Sequence, residues 1–165
     1  MQPRLRGIEV KLEFSLQLAD ARHRHLLTRA FVGRCLRAAF EGPAHITVRV
    51  VGQAEGQRLN RDYRGRDYAT DVLTFEYATQ PVVMADLVLC APVVARQARE
   101  LGLPLLHHYA HLLVHGALHA QGWEHEDDEE QAADMEALEA FLLSTLGVDD
   151  PYFSPRNSRA ASRAK

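Results

Sequence analysis

Residues 111–125 read His-Leu-Leu-Val-His-Gly-Ala-Leu-His-Ala-Gln-Gly-Trp-Glu-His, and no other segment narrows the architecture as much. His115 and His119 stand four apart, so a helix projects both from one face about a turn apart, within reach of a single cation. Gly122 permits the left-handed backbone that ends a helix, so the chain can reverse there and carry His125 to the same point. Three neutral imidazoles suit zinc and leave its fourth position open, whereas structural zinc is usually closed by four protein ligands, often cysteines. The spacing therefore points to one catalytic Zn(2+) per chain on His115, His119 and His125. Such an ion can lower the pKa of water to about 7 and polarise a carbonyl or phosphoryl oxygen. A lone histidine on an apolar face is more often a packed core residue, and an i, i+4 pair can arise by chance among nine histidines. The added glycine and third histidine make the pattern specific. His111, one turn before His115, is expected to pack behind the ligands, and His107 and His108 to lie on the helix surface.

The rest of the chain supplies a sheet for this helix. Ile8, Val10, Leu12 and Phe14 alternate with polar residues, as do Ile46, Val48 and Val50, which is the two-residue period of half-buried strands. Two more strands are predicted over 72–77 and 82–90, rich in β-branched and aromatic residues. Between the first two strands a helix is expected, N-capped by Asp20 and carrying Leu27, Ala30, Phe31, Cys35 and Ala39 inward until Gly42-Pro43 stops it. A short helix over 53–62 leads into the turn Tyr63-Arg64-Gly65-Arg66-Asp67. Further helices are predicted over 92–101, 104–121 and 129–146, with Gly102, Gly122 and Gly147 at their ends. This order implies an α/β (α+β) single domain over 1–150, an about four-stranded mixed sheet with helices packed around it, and a metal site on a C-terminal helix. Residues 151–165, with Pro151, Pro155 and four basic residues, read as a flexible basic tail.

At 165 residues, 47% hydrophobic and 25% charged, the chain suits one domain with a buried core, which excludes wholesale disorder. Cys35 and Cys90 lie far apart with no CxxC pair, so they are read as reduced thiols in a cytoplasmic protein. No apolar run suits a signal peptide or a membrane helix. The net charge of −3 conceals a strong asymmetry. Residues 1–66 hold 13 basic and 6 acidic side chains, whereas 121–150 hold 11 acidic and none basic. A basic first third attracts phosphates through local potential, so nucleic acid is a candidate partner, against the plainer reading of arginines dotting a solvated helix face. The acidic run from Glu124 to Glu130 would repel RNA and is expected at a groove's rim, with Asp128 to Glu130 suited to a helix N-terminus.

The spacing His-x-x-x-His-x-x-Gly-x-x-His is also that of the metzincin zinc peptidases, and Met135 lies downstream where a methionine turn would be sought. Those enzymes use Glu directly after the first histidine as general base, and this chain has Gly116, which cannot move a proton. Met135 fits a core position in register with Leu138 and Leu142. A divergent peptidase is thus the weakest reading.

His115-Gly116-Ala117-Leu118-His119-Ala120-Gln121-Gly122-Trp123-Glu124-His125 resembles the signature His-Gly-x-Leu-His-Leu-x-Gly-Tyr-Asp-His of the YbeY family of bacterial endoribonucleases. Leu59-Asn60-Arg61-Asp62-Tyr63-Arg64 and Thr70-Asp71-Val72-Leu73-Thr74-Phe75 resemble its Leu-Asn-x-x-Tyr-Arg and Thr-Asp-Val-Leu-Ser-Phe blocks, and Ala85-Asp86-Leu87 its Gly-Asp-Ile strand. Trp123, Glu124, Ala120 and Ala85 depart from that pattern. None of the four is a proposed ligand, though Glu124 has a longer reach than Asp. The resemblance, over roughly 45–147, implies a metal-dependent, single-strand-specific endoribonuclease acting in ribosomal RNA maturation near the 16S rRNA 3′ end and in ribosome quality control. Its partners would be the ribosomal RNA precursor, the small ribosomal subunit and that subunit's maturation proteins. It also implies His115, His119 and His125 as metal ligands and a catalytic role for Arg64. Arg64 offers a planar fork of donors to a phosphate whose charge grows during attack. Arg61 and Arg66 are expected to hold the backbone, and Tyr63, Tyr68 or Phe75 to meet splayed bases, Phe75 more as core. The competing reading is an assembly factor of the small subunit whose metal is mainly structural.

Overall fold

Alternation along the first strand sets its partner. In the computed structural model, which describes residues 11–123 and 128–148, β1 spans Leu12–Leu18 and half-buries Leu12, Phe14, Leu16 and Leu18 on one face. It runs parallel to β2, Ala44–Val51, with Leu12 opposite Ala44 and Leu18 opposite Val50. The strand thus reaches further than the expected 8–14, because Leu16 and Leu18 continue the same period; Ile8 and Val10 lie outside the described residues. Between the two strands, α1 spans Arg29–Ala39 and buries Val32, Cys35, Leu36 and Ala39. Its N-cap is Thr28, whose Oγ1 accepts the Phe31 amide at 3.1 Å. Asp20 is therefore not the cap: its amide donates to the Val50 carbonyl and its carboxylate holds Arg22 at 2.9 Å. Ala30 faces solvent.

After β2, α2 (Gln53–Arg64) leads to β3 (Val72–Ala78) and β4 (Val83–Cys90). β4 inserts between β2 and β3, parallel to the first and antiparallel to the second, so the mixed sheet has the order β1-β2-β4-β3. Three helices complete the chain: α3 over Ala91–Leu101, α4 over Leu105–Ala120 and α5 over Glu129–Thr145. α1, α4 and α5 cover one face and form the main core with Ile46, Val48, Leu87 and Leu89. The alternate residues Val88 and Cys90 turn to the other face, where Leu59 of α2 and Val93 of α3 close a smaller cluster. Both thiols are free and buried, and burial pushes that of Cys35 up to about 12, which keeps it inert.

α4 is the central helix: Tyr109, Leu113, Val114 and Ala117 have no exposed surface. It can lie so close to the sheet because of Gly116, where a Cβ would stand 3.3 Å from Leu87 and 3.5 Å from both Val72 and Thr74. The position that carries the general base in metzincins is thus pressed against β3 and β4, with no room for a longer side chain. Gly116→Glu is expected to destabilise the fold by about 3 kcal/mol or more, combining overpacking with a buried carboxylate, as urea denaturation would measure. An unchanged midpoint would show that α4 can lift off the sheet.

Burial also corrects the reading of α4's first turns. His108 is 4% exposed, and its Nε2 lies 2.8 Å from Gln97 Oε1. Because that partner only accepts, Nε2 carries the proton, and the buried Nδ1 has no partner among the described residues. Burial, reinforced by His111, lowers the His108 pKa to about 4. An unfolded histidine titrates near 6.5, so the unfolded chain gains the proton first as pH falls. Stability is full above that value and declines down to about pH 4, by up to about 3 kcal/mol. A pH series of thermal melts should show this loss, diminished in His108→Gln; an identical slope in the variant would remove His108 as the cause. His107 is half-buried, not on the surface. No described helix is long and apolar enough to cross a membrane.

Candidate functional site

The end of α4 carries the chemistry. His115 and His119, one turn apart, bring their Nε2 atoms to 3.0 Å, with ring planes 74° apart. Two nitrogens bonded to one tetrahedral zinc at about 2.0–2.1 Å would be about 3.3 Å apart, so this spacing fits a shared ion. The other nitrogen of His115, Nδ1, lies 2.6 Å from Glu139 Oε2. A carboxylate accepts only, so this contact places the proton on Nδ1 and leaves the Nε2 lone pair directed at His119.

Glu139 comes from α5, which Asp128 caps by accepting the Glu130 and Gln131 amides. It is 1% exposed and shares a helical stripe with Met135 and Leu143, both buried. A carboxylate is costly to bury unless partnered, and here the partners include His115 and, at 3.7 Å, His111. Reading the sequence missed Glu139. The available signal was an acidic residue on the apolar stripe of α5, four residues from Met135 and from Leu143. Leu138 and Leu142, expected in register with Met135, are only partly buried.

Among the described residues, His111, His115 and Glu139 offer ligand atoms all within 4.8 Å of one another, and this group could hold a metal ion. The 2.6 Å contact inside it has the length of a charge-assisted hydrogen bond, shorter than the spacing of two ligands on one zinc. The geometry is therefore better suited to a carboxylate that orients His115 than to three equal ligands. His111, expected to pack behind the ligands, has its ring 6.0 Å from that of His115 and belongs to this group. His125 lies outside the described residues, as do Glu124 and the tail 151–165.

Beside His115 and His119 opens a cleft of about 330 Å³. Tyr63 and Arg64 enter it from the end of α2, and Asp71, Thr74 and Glu76 from β3 and the residue before it. Arg64 stands there because α2 stops beside it: Gly65, at φ 72°, takes the left-handed cap and returns its amide to Arg61. Tyr63 is 55% exposed and rests on Phe75, with ring centroids 4.3 Å apart, which presents an aromatic surface next to Arg64. Phe75 also packs on the smaller cluster, so it is partly core. Arg61, paired with Asp62 at 3.2 Å, and Arg66 are exposed nearby but do not line the cleft, and neither does Tyr68. The carboxylates of Asp71 and Glu76 were not singled out from sequence. Asp71 Oδ1 accepts the Val72 amide at 2.6 Å, fixing the start of β3.

An α+β domain with two converging imidazoles, a buried carboxylate behind them and an arginine in the same cleft defines a protein able to hold a metal next to a bound anion. Residues 10–147 match the model of the family described as Endoribonuclease YbeY, and the chain belongs to that family. It is 55% identical over 148 residues to the Endoribonuclease YbeY of Acidovorax sp. strain JS42, covering 90% of this chain and 97% of that one. It is 61% identical over 141 residues to that of Methylibium petroleiphilum, covering 86% and 94%. The solution structure of TM1509 from Thermotoga maritima shares the fold, with a TM-score of 0.59 at 24% identity over 81% of this chain and 87% of that one.

Proposed function

We propose that this protein is a zinc-dependent endoribonuclease that cuts single-stranded RNA during ribosomal RNA maturation, near the 3′ end of 16S rRNA, and in ribosome quality control in the cytoplasm. The observation that carries this reading is the 3.0 Å approach of the His115 and His119 Nε2 atoms in a cleft that also holds Arg64. The relatives' shared name, Endoribonuclease YbeY, supports RNA as the substrate. His115, His119 and His125 would hold one zinc ion, with Glu139 fixing the tautomer of His115. Zinc there supplies Lewis-acid polarisation of a phosphate and a supply of nucleophilic water at neutral pH.

The chain's own residues do the rest. Arg64 donates to the phosphate oxygens and stabilises the charge that grows during attack. Tyr63, backed by Phe75, offers a stacking surface that an unpaired base can reach and a paired base cannot. Arg61 and Arg66, just outside the cleft, attract the neighbouring backbone. Substrate would come as ribosomal RNA precursor on the small subunit with its maturation proteins. The test is purified protein on one RNA sequence in single- and double-stranded form, with chelator and with zinc restored. Cleavage confined to single strands, abolished by chelator and restored by zinc, is the expected result; chelator-resistant cleavage would refute the metal-dependent reading.

A further inference from the structure

The stretch from Ala21 to Phe40 carries five arginines and no acidic residue. Asp20 holds Arg22, but Arg24, Arg29, Arg34 and Arg37 are exposed, with no carboxylate at ion-pair distance among the described residues. Arg29, Gly33 and Arg37 follow at four-residue steps and form one stripe along α1. The Arg29 guanidinium carbon lies 4.1 Å from the centre of the Phe14 ring. Both terminal nitrogens of Arg37 cover Gly33, where a Cβ would meet them at 3.1 Å and the edge of Phe14 at 3.2 Å. The absent side chain of Gly33 is thus what lets Arg37 lie down over this turn of α1, beside the ring that Arg29 covers.

Two guanidinium groups thus lie close together, Arg29 over the Phe14 ring and Arg37 over Gly33 beside it, with no carboxylate at ion-pair distance among the described residues, although like charges repel. Stacking on an aromatic face offsets only about 0.5–1 kcal/mol at an exposed site, and both arginines remain exposed to solvent. Guanidinium forks match the paired oxygens of a phosphate. Phe14 belongs to the face of the sheet that carries α4, at the β1 edge, while the cleft lies at the β3 edge. Three strand intervals, about 14 Å, separate the edges, a distance that a few nucleotides of extended RNA can span.

We propose that Arg29, stacked on Phe14, and Arg37, folded over Gly33 beside it, form a second phosphate-binding site that takes the backbone of a single-stranded RNA whose scissile link lies in the His115–Arg64 cleft. The proposal rests on RNA being the substrate. Arg24 and Arg34 add to the attracting field without direct contact.

The experiment compares the whole protein with Arg29→Ala/Arg37→Ala on unstructured RNAs of about 6 and about 30 nucleotides, a short one confined to the cleft and a long one able to reach both edges. Loss of two phosphate contacts should make the slope of log affinity against log salt shallower by about 1.4 on the long RNA, at about 0.7 per contact. Affinity for the long RNA should fall about tenfold while cleavage of the short one is unchanged. Arg29→Gln/Arg37→Gln keeps part of each apolar stem and serves the same comparison if truncation unfolds the chain. An unchanged slope and unchanged long-RNA affinity would overturn the proposal. So would a variant altered only in self-association, which would make this face a protein interface. Failure of the unaltered protein to cut the short RNA would count against the nuclease reading alone, because the slope difference on the long RNA is measured independently.

Discussion

His115→Ala is expected to lose zinc together with RNA cleavage. In the unaltered protein an ion bound only by the folded state stabilises it by RT ln(1 + [L]/Kd), about 4 kcal/mol at a thousand-fold excess over Kd. For a chain of this size that is a rise in Tm of roughly 10 °C. The variant should melt at one temperature with or without zinc, and its single-strand cleavage should drop to background. Glu139→Gln makes the finer test, because it keeps the shape of the buried group and removes only the charge that orients His115. It should weaken zinc affinity about 10- to 100-fold, the usual effect of losing the group behind a ligand histidine. Competition with a chromophoric chelator measures this. Undiminished zinc affinity in Glu139→Gln would reduce Glu139 to a packing residue, and zinc stabilisation persisting in His115→Ala would move the metal elsewhere.

Arg64→Ala is expected to keep zinc and stability yet lose about 10²- to 10³-fold in kcat/KM on single-stranded RNA, the scale found when one donor to a developing oxyanion is removed. Arg64 is exposed and contributes nothing to either core, so the melt should not move. Arg64→Lys keeps the charge but not the planar fork, and should recover only a small part of the lost rate. Activity near that of the unaltered protein in Arg64→Ala would exclude it from the reaction.

Local signals carried the element order. The alternation through Leu12 and Phe14, the helical spacing through His115 and His119, and the glycines at 102, 122 and 147 depend on neighbours in the chain, so the strands and helices could be read directly, though the end of β1 lies beyond the expected 14. The start of α1 could not, because Asp20 and Thr28 are both good caps in isolation and the choice between them depends on β2, whose Val50 carbonyl takes the Asp20 amide. Nor could the burial of His108, which depends on α3 bringing Gln97 to it.

The pairing of His115 with His119 was settled by sequence, since four residues on a helix place two side chains on one face whatever surrounds them. Tertiary structure alone decided what stands around that pair. Glu139, twenty-four residues on, becomes its support because α5 packs against α4, and Arg64 faces it because β3 carries the end of α2 to the same edge. Spacing along a helix is a property of the backbone, whereas a buried carboxylate or a facing arginine is set by how separate elements bury their apolar sides against each other.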